Sequence, residues 1–252
     1  MPTPELTQVA PGVHRYADGL VNWYLIEEDG ELALVDAGWP RSWGHVEAAV
    51  AGLGRTSQAI THVVLTHGHP DHLGAAEKVR QQTGAVVHAH RPEVPRTHGR
   101  AKGSSPFALV PSLVPTLYQG TALGFVLHAT VRGFMTPTWV KETTAFDAGA
   151  PLDVPGRPVP VPTPGHTEGH VSLHLPDRGV VFTGDALCAL DPLSRASGSR
   201  FMPDALNSDP QAVRRSADAL SPLAADTVLF GHGEPFSGSP ADAVGRARAT
   251  DV

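Results

Sequence analysis

An α/β fold is predicted, and three observations carry it. Short apolar runs recur at 32–35, 63–65, 180–182 and 228–230, each of strand length. Stretches with helical start and stop signals lie between them. Each run also stops at chemistry-bearing residues: Asp36, Thr66-His67, Thr183-Gly184-Asp185 and Gly231-His232. Side chains at strand ends share one edge of a sheet, which is where α/β proteins build their sites.

Taken in order, 21–27 and 31–35 read as a β-hairpin, with Asp29-Gly30 supplying the left-handed turn. Ser42 is expected to cap a helix over 43–53. A second helix over 73–83 is closed by Gly84, since glycine tolerates the left-handed conformation that ends a helix. Asp209 as cap and Pro210 in the first turn start a third, running to Leu220. A fourth covers 241–249, after Ser239-Pro240.

Residues 91–150 break this rhythm. They are rich in proline and glycine, yet carry Phe107, Tyr118, Phe134 and Trp139. So long a segment is read as an insertion into one domain spanning 1–252: a lid over the site or an extension packed on the core. In the lid reading these four aromatics contact the substrate.

Composition removes several classes. The chain has 252 residues with 14 histidines and one cysteine. A single cysteine excludes an internal disulfide framework, a cysteine zinc ribbon and a cysteine-held iron–sulfur cluster. A net charge of −6 without a basic block argues against nucleic acid as a partner. The most apolar stretch, 109–127, is broken by Pro111, Pro115, Gln119 and Gly120, so no membrane span is expected. Met1-Pro2-Thr3-Pro4-Glu5 lacks the basic and apolar regions of an export signal, which points to the cytoplasm. The expected partner is a small acyl substrate, and homodimerisation is left open.

The decisive run is Thr66-His67-Gly68-His69-Pro70-Asp71-His72. In an extended loop His67 and His69 point the same way, and Asp71 and His72 follow as the chain turns. Imidazole and carboxylate together are a metal-ligand set. Pro164-Gly165-His166-Thr167-Glu168-Gly169-His170, Asp185 and Gly231-His232-Gly233 add three more groups, with glycines that permit tight turns.

In this order the residues resemble the metallo-β-lactamase-fold hydrolase superfamily, and within it the glyoxalase II-like branch. The resemblance runs from Asn22-Trp23-Tyr24-Leu25-Ile26 through Leu34-Val35-Asp36-Ala37-Gly38 to Phe230-Gly231-His232-Gly233. It implies a four-layer αβ/βα sandwich of two mixed β-sheets flanked by helices, with two divalent metal ions at one edge. Carried over position by position, it gives one ion to His67, His69 and His166 and the other to Asp71, His72 and His232. Asp185 bridges the two. Asp36 supports the ligands from behind, and His170 is either a further support or a plain strand residue. Zinc is the expected metal, with iron and manganese as alternatives.

The implied activity is binuclear hydrolysis of an ester, thioester or lactone by a metal-bridging hydroxide, with Asp71 and Asp185 as the catalytic carboxylates. The alternatives are a persulfide dioxygenase-like enzyme with a single iron and an acyl-homoserine lactonase. Several departures narrow the branch. Asp185 stands where many true metallo-β-lactamases have cysteine, and His69 where flavodiiron proteins have a carboxylate. Cys188 stands where lactonases often carry tyrosine. Arg246 and Arg248 are the only basic residues in the roughly twenty after His232, where glyoxalase II enzymes place a glutathione-binding domain, so glutathione-thioester specificity is not expected. A non-catalytic scaffold is disfavoured because all seven ligand positions are filled.

Overall fold

The computed structural model describes residues 5–251 and turns the apolar runs into strands of two mixed sheets. The first contains β1 (Glu5–Ala10), β2 (Val13–Asp18), β3 (Val21–Glu28), β4 (Glu31–Val35), β5 (Ile60–Leu65), β6 (Val86–His90) and β7 (Thr144–Phe146), side by side in chain order. Its first four strands are antiparallel, and β4 to β7 run parallel. The second sheet begins with β8 (Val159–Pro162), β9 (Val171–Leu175) and β10 (Val180–Gly184). A separate ribbon, β11 (Cys188–Leu190) with β12 (Ser197–Arg200), intervenes before β13 (Thr227–Phe230) and β14 (Phe236–Ser237) complete the order β14-β13-β10-β9-β8. Strand β13 lies parallel to β10.

Seven helices accompany the strands among the described residues. They are α1 (Trp43–Gly52), α2 (Ala76–Thr83), α3 (Val94–Thr97), α4 (Val110–Leu113), α5 (Gly120–Val131), α6 (Pro210–Ser216) and α7 (Pro240–Ala249). The period-two alternation of the strands sorts their side chains into layers. Trp23, Leu25, Leu34 and Val63 pack with Val46 and Val50 of α1 and Val79 of α2. Their neighbours Tyr24, Ile26, Val35 and Val64 face Leu173, Phe182 and Leu229 of the second sheet. From that sheet's other face, Val181, Val228 and Phe230 meet Val213 of α6 and Val244 of α7. Helix, sheet, sheet, helix is the expected αβ/βα sandwich.

Most local signals behave as their chemistry dictates. The β3–β4 turn puts Asp29 and Gly30 at φ +49 and +87. Gly84 ends α2 at φ +78. Asp209 accepts the Ala212 N–H at 2.9 Å, and Ser239 accepts that of Asp242 at 3.1 Å. Three expectations shift. Ser42 does not cap α1: its hydroxyl donates to Asp18 Oδ2 and accepts the Trp39 N–H at 3.0 Å. Helix α2 begins at Ala76 rather than 73, because the chain before it is bonded to the loop after β4, with Ala37 N–H to His72 O at 2.6 Å and Gly74 N–H to Gly38 O at 2.9 Å. Helix α6 tightens into a 3₁₀ turn at Ala217–Ala219 before reaching Leu220.

Residues 91–150 are not uniform. The stretch around α3 bonds to the loops of the site, α4 and α5 form a helical cap, and β7 adds a strand to the first sheet.

Candidate metal centre

Parallel strands bring their C-terminal ends to one edge. In the first sheet β4 and β5 run together, so Asp36 and Thr66-His67 emerge side by side. In the second, β10 and β13 deliver Asp185 and Gly231-His232. A tight crossing joins the two ends: a Cβ on Gly231 would collide with Asp185 Oδ1 and lie 2.8 Å from His72 Cε1, so only glycine fits there.

All seven predicted ligand positions converge. Ligand atoms within 4.8 Å of one another group as His67, His69 and His166; as His67, His72 and Asp185; and as Asp71, His72 and His232. Asp185 lies between the groups. Its Oδ2 is 3.3 Å from His166 Nε2 and 3.2 Å from His232 Nε2, and its Oδ1 is 3.4 Å from His72 Nε2. Asp71 Oδ2 sits 3.8 Å from His232 Nε2 and 3.9 Å from His72 Nε2. His69 Nδ1 reaches to 2.8 Å from His166 Nε2.

Each supporting bond leaves a ring nitrogen free for the centre. His72 donates from Nδ1 to Asp36 Oδ2 at 2.9 Å. His67 donates from Nδ1 to Thr66 Oγ1 at 3.0 Å, and that hydroxyl donates onward to Asp36 Oδ2 at 2.8 Å. Asp36 therefore orients two imidazoles at once, from a backbone at φ +57. His166 donates to Asn207 Oδ1 at 2.9 Å, and His232 to the Leu20 carbonyl at 2.5 Å. Such partners fix the tautomer and ring direction of metal-binding histidines. His170 has no free nitrogen. It bonds Thr163 Oγ1 through Nδ1 at 2.9 Å and accepts the Asp185 N–H on Nε2 at 3.0 Å, so it positions the Asp185 backbone.

Two supports are not legible in the sequence. Glu93 is 1% exposed and spans both ligand loops. One oxygen accepts the Gly68 N–H at 2.9 Å; the other accepts Thr167 Oγ1 and the Gly169 N–H, each at 2.9 Å. Arg96 Nε lies 3.3 Å from it. Asn22 of β3 secures the last loop, donating to the Phe230 and Gly233 carbonyls at 3.0 and 2.6 Å, and Tyr24 Oη adds a bond to Phe230 O at 2.6 Å. Glu93 falls inside the segment read as an insertion, and Asn22 has the pattern of a plain strand residue.

The cluster suits cations. His67 Nε2, His72 Nε2 and Asp185 Oδ1 are buried without a hydrogen-bond partner. Orphaned buried polar atoms are costly, and cations held by the cluster would supply the missing partners. Burial, reinforced by neighbouring imidazoles, holds His67 and His69 well below the usual histidine range, so both are neutral, as metal ligands must be. Burial also opposes charge on His72 and Asp185. Attraction to opposite charge overrides it: Asp185 and then Asp71 raise the His72 imidazole, and His232 and then His72 lower the Asp185 carboxyl. Burial pushes His170 down to about 3, in keeping with a permanently neutral ring.

A cavity of about 150 Å³ opens on this cluster at His69, Asp71, His166, Asp185 and His232. Its remaining wall is mostly apolar and comes largely from the cap. Phe134 lines it. The other aromatics expected in a pocket do not: Phe107 and Tyr118 are 64% and 83% exposed, and Trp139 packs beside α2 and against Gly99. Cys188 is buried, with its thiol toward the Phe201 carbonyl.

The model of the metallo-beta-lactamase superfamily matches residues 16–232, a span that ends on His232 and holds all seven candidate ligands. The chain belongs to that superfamily. Within it, the chain is 30% identical over 247 residues to Probable metallo-hydrolase YflN of Bacillus subtilis, covering 92% of this chain and 87% of that protein. A hydroxyacylglutathione hydrolase of Cereibacter sphaeroides is 28% identical over 200 residues, with 79% of this chain aligned to only 56% of that enzyme. A metallo-beta-lactamase family protein from Thermus thermophilus superposes with a TM-score of 0.69 at 28% identity, over 96% of this chain and 80% of the other. A B3 metallo-beta-lactamase with an active-site glutamic acid shares the fold, at a TM-score of 0.66 and 20% identity, over 98% of this chain and 88% of that one. Among the described residues no helix is long and apolar enough to cross a membrane.

Proposed function

We propose that this chain is a binuclear metal-dependent hydrolase of esters, thioesters or lactones. The observation that carries the reading is Asp185. Its two oxygens face histidines of both ligand groups, and the whole cluster opens on an apolar cavity. His67, His69 and His166 would hold one cation and Asp71, His72 and His232 the other, with Asp185 shared; zinc is the expected metal for redox-neutral chemistry. When bound, such cations polarise a carbonyl oxygen and lower the pKa of water toward neutrality. The protein's own contribution is placement. Asp36 and Thr66 hold His72 and His67 in the metal-ready tautomer, and His170 fixes the Asp185 backbone. Asp71, which lines the cavity, is the carboxylate that would accept a proton from the attacking water. The apolar wall keeps bulk water from the scissile bond.

Metal analysis of the purified protein, followed by a panel of thioesters, lactones, aryl esters and phosphodiesters, tests this. Two ions per chain and turnover of the carboxylic derivatives are expected. Faster turnover of phosphodiesters, or one iron per chain with oxygen consumption, would replace the reading.

A further inference from the structure

The cavity wall away from the ligands has a definite size and chemistry. Leu113, Phe125, Val126, Ala129, Phe134 and Met202 shape it, and among the described residues no charged side chain lines it apart from the candidate ligands. Helix α5 forms one side. Its sequence, GTALGFVLHATV, contains no acidic residue, lysine or arginine. Ala129 is buried on the lining face, and its short side chain leaves the space that a larger residue would fill. The wall is held in place at the end of α5, where Arg132 Nη1 donates to the buried Asp18 Oδ1 at 2.7 Å and Arg41 donates to the Val131 carbonyl at 2.8 Å. An enclosed apolar cavity of about 150 Å³ admits a benzene-sized guest; the cavity here has that volume with its ligand end included and is partly open.

Resting on the hydrolase reading, we propose that this cavity selects a substrate bearing an uncharged apolar substituent of about phenyl or six-carbon size, and that Ala129 sets the limit. The substituent is either the acyl chain or the leaving group, and the chemistry that recognises it is the same: removal of apolar surface from water against Phe125, Phe134 and the methionine. A chain that outgrows the space beside Ala129 gains no further contact, and a charged one finds no partner there.

Two measurements test it on the metal-loaded protein. The first needs no turnover. Toluene has no atom that ligates a metal, so its binding by NMR titration reports the apolar wall alone. Wild type is expected to bind it. Ala129→Leu should weaken binding about tenfold and Ala129→Phe should abolish it; equal binding by all three overturns the proposal. The second compares acyl thioesters from two to twelve carbons on one thiol with alkyl and aryl acetates on one acyl group. In one of the series kcat/KM should rise about a hundredfold from two to six carbons and fall beyond eight, which identifies the side that enters the cavity. Flat profiles in both series overturn the proposal. Toluene binding that responds to Ala129, without turnover of any ester or thioester, overturns the hydrolase reading and leaves the cavity assignment standing.

Discussion

The two walls of the site are built in opposite ways. On the ligand side the groups behind the ligands are tied by directional bonds: Asp36 accepts three hydrogen bonds, Glu93 accepts three more, and His170 uses both nitrogens. On the cap side contacts are mainly apolar, with Trp39 under His128 and Phe134 at centroid distances of 5.4 and 6.2 Å, and the Asp18–Arg132 pair tying the end of α5. Directional bonds hold a metal geometry to within fractions of an ångström, whereas dispersion and burial tolerate repacking. The same cleft thus pairs a rigid polar edge with an adaptable apolar edge.

The largest expected effect breaks the rigid side outright. Removing the metal by chelation should take hydrolysis to background. It should also lower stability by about 4 kcal/mol for each ion lost, relative to protein with ions at roughly a thousand times their Kd. Activity assays and calorimetry with and without chelator check both, and unchanged activity would refute the metal-dependent reading. Next comes Glu93→Gln, which puts an amide N–H₂ where two backbone N–H groups and a hydroxyl need acceptors. Metal affinity should fall ten- to a hundredfold, with far-UV circular dichroism of the metal-free protein retained. Competition against a chromophoric chelator measures it.

The adaptable side responds differently. Arg132→Met leaves the buried Asp18 with only His45 and Ser42 as side-chain partners, so roughly 1–3 kcal/mol of stability should be lost. KM should rise while metal affinity holds, and a parallel loss of metal would show that the two walls are not separable. The smallest effect is a pH dependence carried by His128 of α5. Burial holds its imidazole below the usual histidine range, with Arg132 and Arg195 adding to the shift. The unfolded chain therefore takes up the proton first, and its stabilising contribution as a neutral ring is lost as pH falls below about 6.5. Denaturation of wild type and His128→Asn between pH 7.5 and 5 should show the stability difference shrinking on the acid side.

The strands and the ligand edge are legible because both depend on short-range pattern: continuous apolar runs such as 32–35 and 63–65, and a His-x-His-x-Asp-His run directly after a strand. The cap at Asp209 and the helix start after Ser239-Pro240 are legible for the same reason. Ser42 departs from its local signal because Asp18, 24 residues away in sequence, offers a buried carboxylate that outcompetes the helix N-terminus for its hydroxyl. Glu93 escapes a sequence reading because its partners, Gly68, Thr167 and Gly169, come from two distant loops and carry no local signature. Phe107 and Tyr118 draw attention as aromatics in an apolar segment, yet composition does not say which face of a cap looks inward. Leu113, Phe125 and Ala129, plainer residues of the same segment, form the wall.

One consequence follows from the parallel pairs β4–β5 and β10–β13. Each sheet supplies only part of the ligand set: His67 and His69 follow β5, while His166, Asp185 and His232 belong to the second sheet's loops. These contacts span much of the chain, and pairings of such long sequence separation form late when a protein folds. The ability to capture metal tightly is then a marker of completed assembly. In refolding from denaturant, helix and strand signals should recover first, and the metal-dependent signal should lag until the two sheets have closed on each other.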